Sequence, residues 1–206
     1  MTTAAPASSG PEPPAQHDAR RQAILEAAFV TFCQYGFRRT AMEDIARASG
    51  LSRASLYLHY RNKQDIFQSL TQTYFDRTSS RIKAALLPGM PPSDALAAVF
   101  DAKAGPELEA ILASPHGAEL LDVKASSVAD LVRDGEAAIA AQIADWLRSE
   151  SAAERLTLGP FDKDPLGLAQ TIIAALMGLK TADVGIAGYR ADGRRLALLF
   201  GRALTL

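Results

Sequence analysis

Between Thr40 and Phe67 the chain reads TAMEDIARASGLSRASLYLHYRNKQDIF, two short helices with separate start signals and a glycine between them. Thr40 followed by Glu43 forms a capping box, in which hydroxyl and carboxylate satisfy each other's orphan backbone donors. The first helix turns Ile45 and Ala46 inward and stops at Gly50, the residue for which a left-handed C-cap costs least. Leu51 follows as an apolar plug, and Ser52 caps a second helix from Arg53 to about Leu58. Ala46 is small enough for a close crossing, with Ile45, Leu51 and Leu56 as anchors. A pair held this way is a helix-turn-helix, whose second helix presents its N-terminal side chains to a major groove.

The side chains on that exposed side suit nucleic acid. Arg53 fits a forked pair with a guanine edge, Ser55 is a short adaptable donor, and Ala54 lets the backbone come close. Ser52, at the cap, lies beside them. Thr40, Tyr57, His59 and Lys63 are spaced to reach phosphates flanking the groove. Asn62 caps a further helix with Lys63 in its first turn, where a phosphate meets both ammonium and helix dipole. Each residue alone has a plainer reading: Tyr57 as half-buried packing, Arg53 as a solvated charge, His59 as no signal. Their concentration on one short helix after a glycine turn favours DNA contact.

The segment from Arg21 to Phe67, about a quarter of the chain, resembles the N-terminal domain of the TetR family of bacterial transcriptional regulators. The resemblance rests on positions such as Ile24, Phe32, Gly36, Phe37, Thr40, Ile45, Gly50, Leu51, Ser52, Tyr57, Tyr60, Lys63 and Phe67, and on the run GLSRASLYLHYRNKQDIF as a whole. Ala54 stands where the family often has glycine, Leu58 and His59 where aromatics are common, and Arg61 where proline is frequent. None of these departures removes a DNA-contacting residue type.

Net charge is −1, which argues against a nucleic-acid partner until its distribution is read. From Ala19 to Lys63 there are eight basic and three acidic residues, a local +5, so the remainder carries −6. A basic head on an acidic body turns toward DNA and keeps the body off it. Residues 1–18, rich in Pro, Ala and Ser, read as a disordered tail and not a secretory signal. The single cysteine, Cys33, excludes an intrachain disulfide, agrees with a cytoplasmic setting, and falls among apolar neighbours as a small hydrophobe. No apolar run reaches the ~18 residues that would suggest a membrane span.

The pattern predicts an all-α chain: a helix-turn-helix head over 19–64 and a helical effector-binding and dimerisation body over 65–206. The first helix runs Ala19 to Tyr35, capped by Asp18, and Phe37 folds back on Phe32 beyond Gly36. The helix after Asn62 runs to about Leu86 as a rigid connector. Body helices are expected over Asp94–Lys103 behind a Ser93 cap, after Gly105-Pro106, after Ser114-Pro115 and from Ser126 to Glu154. The last two run from Leu166 to about Val184 and from Ala191 to Leu204. These two carry more apolar surface than one face needs, through Ile172, Leu176, Leu179, Leu196, Leu199 and Phe200. We expect them to form a four-helix bundle with a second copy, an arrangement the TetR resemblance also implies.

Catalytic constellations are missing from the sequence. The three histidines are scattered, and there is no HExxH, CxxC, GxSxG or phosphate-loop pattern, so neither an enzyme nor a cofactor is expected. The resemblance implies a small-molecule effector in the body, for which Phe100, His116 and Trp146 are candidate contacts, and a palindromic operator in double-stranded DNA. The chain then reads as a homodimeric, ligand-responsive repressor. An architectural DNA binder without an effector is the rival reading, and an interaction module that has lost DNA affinity is a weaker one.

Overall fold

The computed structural model describes residues 14–122, 128–180 and 184–206, which form ten α-helices and one short 3-10 turn and contain no strand. The head consists of α1 (Pro14–Tyr35), α2 (Met42–Ala48) and α3 (Arg53–His59). From it α4 (Lys63–Ala85) leads into a body of α5 (Pro92–Ala104), α6 (Pro106–Ala113), α7 (Gly117–Leu121), α8 (Ala129–Ala152), α9 (Pro165–Gly178) and α10 (Gly185–Leu204). None of these helices is long and apolar enough to cross a membrane.

Local chemistry sets most of the starts. Pro92, Pro106 and Pro165 each open a helix, where a missing N–H costs nothing and the fixed φ is already helical. The Asn62 side chain accepts the Asp65 N–H at 2.8 Å, and the Asp164 carboxylate accepts those of Leu166 and Gly167 at 3.1 and 2.9 Å. Such caps contribute about 1 kcal/mol each.

Two apolar cores follow. The head core gathers Ile24, Phe32, Ile45, Leu56 and Ile66, all almost fully buried, and takes in Leu120 from α7 of the body. Phe37 does fold back on Phe32, with ring centroids 5.3 Å apart. The body core is built around Leu96, Val99, Ile139, Ile143, Leu147 and Ile172. Burying each such side chain stabilises the fold by roughly 1.5–3 kcal/mol. Leu56 is the one fully buried residue of α3, so the seven-residue recognition helix hangs on a single anchor and its two end contacts.

Several expected boundaries move. The first helix begins at Pro14, not Ala19, so Asp18 lies inside it and caps nothing. Residues 1–13 of the expected tail lie outside the described residues, as do 126 and 127 ahead of α8. Pro91 occupies the N-cap of α5, and Ser93 lies within the helix. Helix α9 stops at Gly178 instead of running to Val184, and α10 starts at Gly185, six residues before the expected Ala191. Gly188 is inside α10, where burial of Tyr189 against the body core outweighs the glycine penalty of ~1 kcal/mol.

Candidate nucleic-acid interface

The turn into α2 is built one residue later than the sequence suggests. Thr40 is buried, and its hydroxyl donates to the Gly36 carbonyl at 2.7 Å. Ala41 takes the N-cap position, and its N–H donates to the Asp44 carboxylate at 2.9 Å. Thr40 and Glu43 therefore do not form the capping box, and the Thr40 hydroxyl is turned away from any phosphate. Glu43 reaches the next helix instead, where its carboxylate lies 2.5 Å from the Arg53 guanidinium.

The second helix is set as its sequence demands. Gly50 has φ +69°, a value that only glycine adopts cheaply, and Leu51 N–H closes the turn onto the Ala46 carbonyl at 2.9 Å. Ser52 caps α3 by accepting the Ser55 N–H at 3.0 Å, with the two hydroxyls 2.8 Å apart. With Leu56 inside, the outward face carries Arg53, Ala54, Tyr57 and Leu58, and Ser55 stands half-buried at its edge. The Arg53 guanidinium lies over the Tyr57 ring, 5.6 Å from its centroid. The hydrogen bond with Tyr57 and the charge of Glu43 both raise the Arg53 pKa, holding it as a cation. Leu58, which carries no polar signal in the sequence, is among the most exposed large apolar side chains and suits contact with a thymine methyl.

His59 and Lys63 sit further back. The His59 ring is half-buried and lies tilted against His17 of α1, with centroids 5.1 Å apart, a contact made only because α1 starts early. The ammonium of Lys63 donates to the carbonyls of Phe37, Arg38 and Thr40 at 2.8, 2.9 and 2.8 Å. Three donors meet three acceptors, so Lys63 ties α4 to the turn between α1 and α2 and has no N–H left for a phosphate.

Behind this surface the body grips the end of α1. Ser114, between α6 and α7, donates its hydroxyl to the Cys33 carbonyl at 2.5 Å, and Glu119 of α7 accepts the Arg38 N–H at 2.7 Å. Gly36 has φ +81°, and a Cβ there would lie 2.5 Å from the Glu119 carboxylate and 3.1 Å from the His116 ring. His116 thus packs on the head instead of lining a pocket. Burial raises the pKa of the Cys33 thiol, in keeping with an inert packing role.

Next to this grip lies a cavity of about 190 Å³, walled by α1, α4, α6, α7 and α8. Its wall includes Phe29 and Phe32 of α1 and Phe67 and Leu70 of α4, with the Phe32 and Phe67 rings in edge contact at 5.9 Å, and Glu136 and Lys180 lie together on it, 4.0 Å apart. Phe100, His116 and Trp146 are not on its wall. Phe100 is in the body core, and the Trp146 indole N–H points at the Leu87 carbonyl, 3.4 Å away. Sequence spacing selects bulky residues at helical intervals, and here that periodicity marks core.

The pairing surface expected from the sequence is corrected likewise. Ile172 and Leu176 are fully buried in the body core, so they cannot face a second copy. Leu179, Leu196 and Phe200 are half-buried against the same core. Leu199 is 67% exposed, and Leu166, Met177, Val184 and Leu198 are exposed with it on α9, α10 and the residue preceding α10.

Comparison with known proteins accords with this geometry. A family profile described as "Bacterial regulatory proteins, tetR family" matches residues 24–70. The HTH-type transcriptional repressor KstR2 of Mycolicibacterium smegmatis is 28% identical over 90 residues, 44% of this chain and 44% of that protein. The HTH-type regulator YfiR of Bacillus subtilis is 39% identical over 62 residues, 30% of each chain. The chain thus spans less than half the length of these relatives, which are regulators of transcription and not enzymes. A TetR transcription regulator from Haloarcula marismortui shares the fold with a TM-score of 0.72 at 17% identity, over 92% of this chain and all of that one. Residues 24–70, the head and the start of α4, thus match the TetR family of bacterial regulatory proteins, and the fold over 92% of the chain is the one seen in a TetR transcription regulator.

Proposed function

We propose that this chain is a sequence-specific DNA-binding repressor acting in the cytoplasm as a homodimer, released from a palindromic operator by a small molecule bound in the C-terminal body. The observation that carries the reading is α3 itself. Its outward face offers a forked cation, short hydroxyls and a close backbone, and its orientation is fixed by Leu56 inside and the Ser52 cap. Arg53, Ala54 and Ser55 read base edges. Ser52 and Tyr57 position the helix on the backbone, and His59 flanks them at the seam with α1.

Two heads on a two-fold axis engage half-sites about one helical turn, ~34 Å, apart, which a single head this small cannot match in specificity. The exposed apolar strip around Leu198 and Leu199 supports the pairing. The cavity between head and body supports release: a ligand that fits it in one head orientation better than another shifts the populations, about tenfold for every 1.4 kcal/mol of difference.

Fluorescence-anisotropy titration of duplex DNA from upstream of the protein's own gene, against scrambled duplex at two salt concentrations, tests the reading. Tight, salt-dependent and selective binding by a dimer supports it. Equal weak binding to both duplexes, persisting in genome-wide selection of bound fragments, favours an architectural role.

A further inference from the structure

From the wall of the cavity between head and body we infer the chemical class of its occupant: a small amphipathic monoanion, a carboxylate on an apolar body, anchored by Lys180. The inference rests on reading the body as effector-binding.

The wall is mostly aromatic and aliphatic, with charged side chains from α1, α4, α6, α8 and the residues after α9. On it the Glu136 carboxylate is held by Lys103 at 2.5 and 2.7 Å, and Lys180 stands 4.0 Å from the same carboxylate. One anion faces two cations. The charges on the wall alone, Glu26, Glu107 and Glu136 against Arg77 and Lys180, would favour a positive ligand.

Hydrogen-bonding capacity reverses that preference. Both Glu136 oxygens are engaged by Lys103. Glu107 is held by Arg81 at 3.2 Å and Arg77 at 3.5 Å, and Glu26, exposed at the rim, accepts the Gln22 amide at 2.6 Å. The Thr71 and Thr73 hydroxyls donate back to their own helix, to the carbonyls of Phe67 and Ser69. The Lys180 ammonium makes no hydrogen bond among the described residues, although the side chain is only 15% exposed. An ammonium has three N–H donors and no acceptor. This one has left water for a single carboxylate already claimed by another lysine. Desolvation lowers its pKa, with Glu136 opposing, as expected of a cation short of a partner. A ligand carboxylate supplies that partner; a ligand ammonium would meet only carboxylates already engaged.

Size narrows the class. The cavity, about 190 Å³, is somewhat larger than the roughly 150 Å³ apolar cavity that takes up one benzene ring. A single ring with a short acid arm, or a medium-length alkyl chain ending in a carboxylate, fits that space.

Isothermal titration of the full chain with octanoate, octanamide and octylammonium, and with phenylacetate as the ring acid, tests this. The acids should bind, octanoate about tenfold or more tighter than its amide, as a charge-assisted hydrogen bond requires. Lys180→Met should erase that preference while still binding the amide, and Lys180→Arg should keep it. Should Lys180→Met melt too low for assay, the preference in the wild type and its retention in Lys180→Arg carry the test. Preference for octylammonium, equal binding of acid and amide, no binding of any probe, or an unchanged preference in Lys180→Met would each overturn the assignment. DNA release is read separately: octanoate that binds without weakening the operator complex strikes the repressor mechanism and leaves the carboxylate site standing.

Discussion

The ammonium of Lys63 lies 2.8 Å from the carbonyl oxygen of Thr40, and that single contact joins the start of α4 to the turn that aims α2. With the carbonyls of Phe37 and Arg38 also bound, and the Phe37 ring 4.9 Å away, the lysine acts as a clasp on the head. Lys63→Met should therefore destabilise the head by about 1.5–3 kcal/mol, visible as a lower denaturation midpoint. DNA affinity should fall without a change in salt dependence. A drop of ~0.9 in the slope of log K against log salt would show a direct phosphate contact instead.

Arg53 is held in an ion pair with Glu43, a contact that base reading by its guanidinium would have to break. Arg53→Ala should weaken the operator complex by about 1–3 kcal/mol and non-specific binding by less. Glu43→Gln frees the guanidinium and should tighten binding to both duplexes. Paired anisotropy titrations on operator and scrambled DNA check both, and equal losses for Arg53→Ala would count against base reading.

Leu199 is exposed on α10, whereas Ile172 of α9 is fully buried. Leu199→Asp should leave protomer stability within about 0.5 kcal/mol of wild type yet yield monomers in analytical ultracentrifugation. Ile172→Asp should unfold the body. A dimer that survives Leu199→Asp and Leu198→Asp together would place the interface elsewhere.

At the far end of α8, Glu150 is almost fully buried, takes two hydrogen bonds from Arg155 at 2.5 and 2.8 Å, and accepts the Gly89 N–H at 3.1 Å. The Arg155 guanidinium, first among these causes, holds the carboxyl below its ordinary pKa. Its stabilisation is then complete above the unfolded value of about 4.3 and lost as pH falls through the lower folded value. Glu150→Gln should cost about 1–3 kcal/mol at neutral pH, and the gap to wild type should close in acid denaturation below pH ~4.

Much of the head is legible in the sequence because its signals are local. Ser52, Asn62 and Gly50 act within four residues of themselves, and the structure keeps all three roles. The cap of α2 is ambiguous in sequence, since Thr40 to Glu43 and Ala41 to Asp44 offer the same spacing one residue apart. What decides is the Gly36 carbonyl, which draws the Thr40 hydroxyl inward and which no local pattern reveals. The clasp made by Lys63 is hidden for the same reason, its acceptors lying 23 to 26 residues back along the chain.

In the body the hydrophobic pattern marks the helices but not their faces. An apolar run such as 166–179 cannot tell its own core from a partner's surface, so Ile172 and Leu176 look as fit for a dimer seam as for the interior they occupy. The cavity draws its wall from helices distant in sequence. Its one sequence trace is a lysine closing an apolar run, Lys180, and a second inside another, Lys103, with Glu136 as the acid that both require.

Phe32 belongs at once to the packed interior of the head and to the wall of the cavity, and Leu120 of α7 shares that double membership. On the proposed reading, ligand fit and the aim of α3 are therefore written partly in the same letters. A substitution at Phe32 or Leu120 would alter both together, whereas Leu108 and Val132, on the body side of the wall, can be varied while the head keeps its own packing.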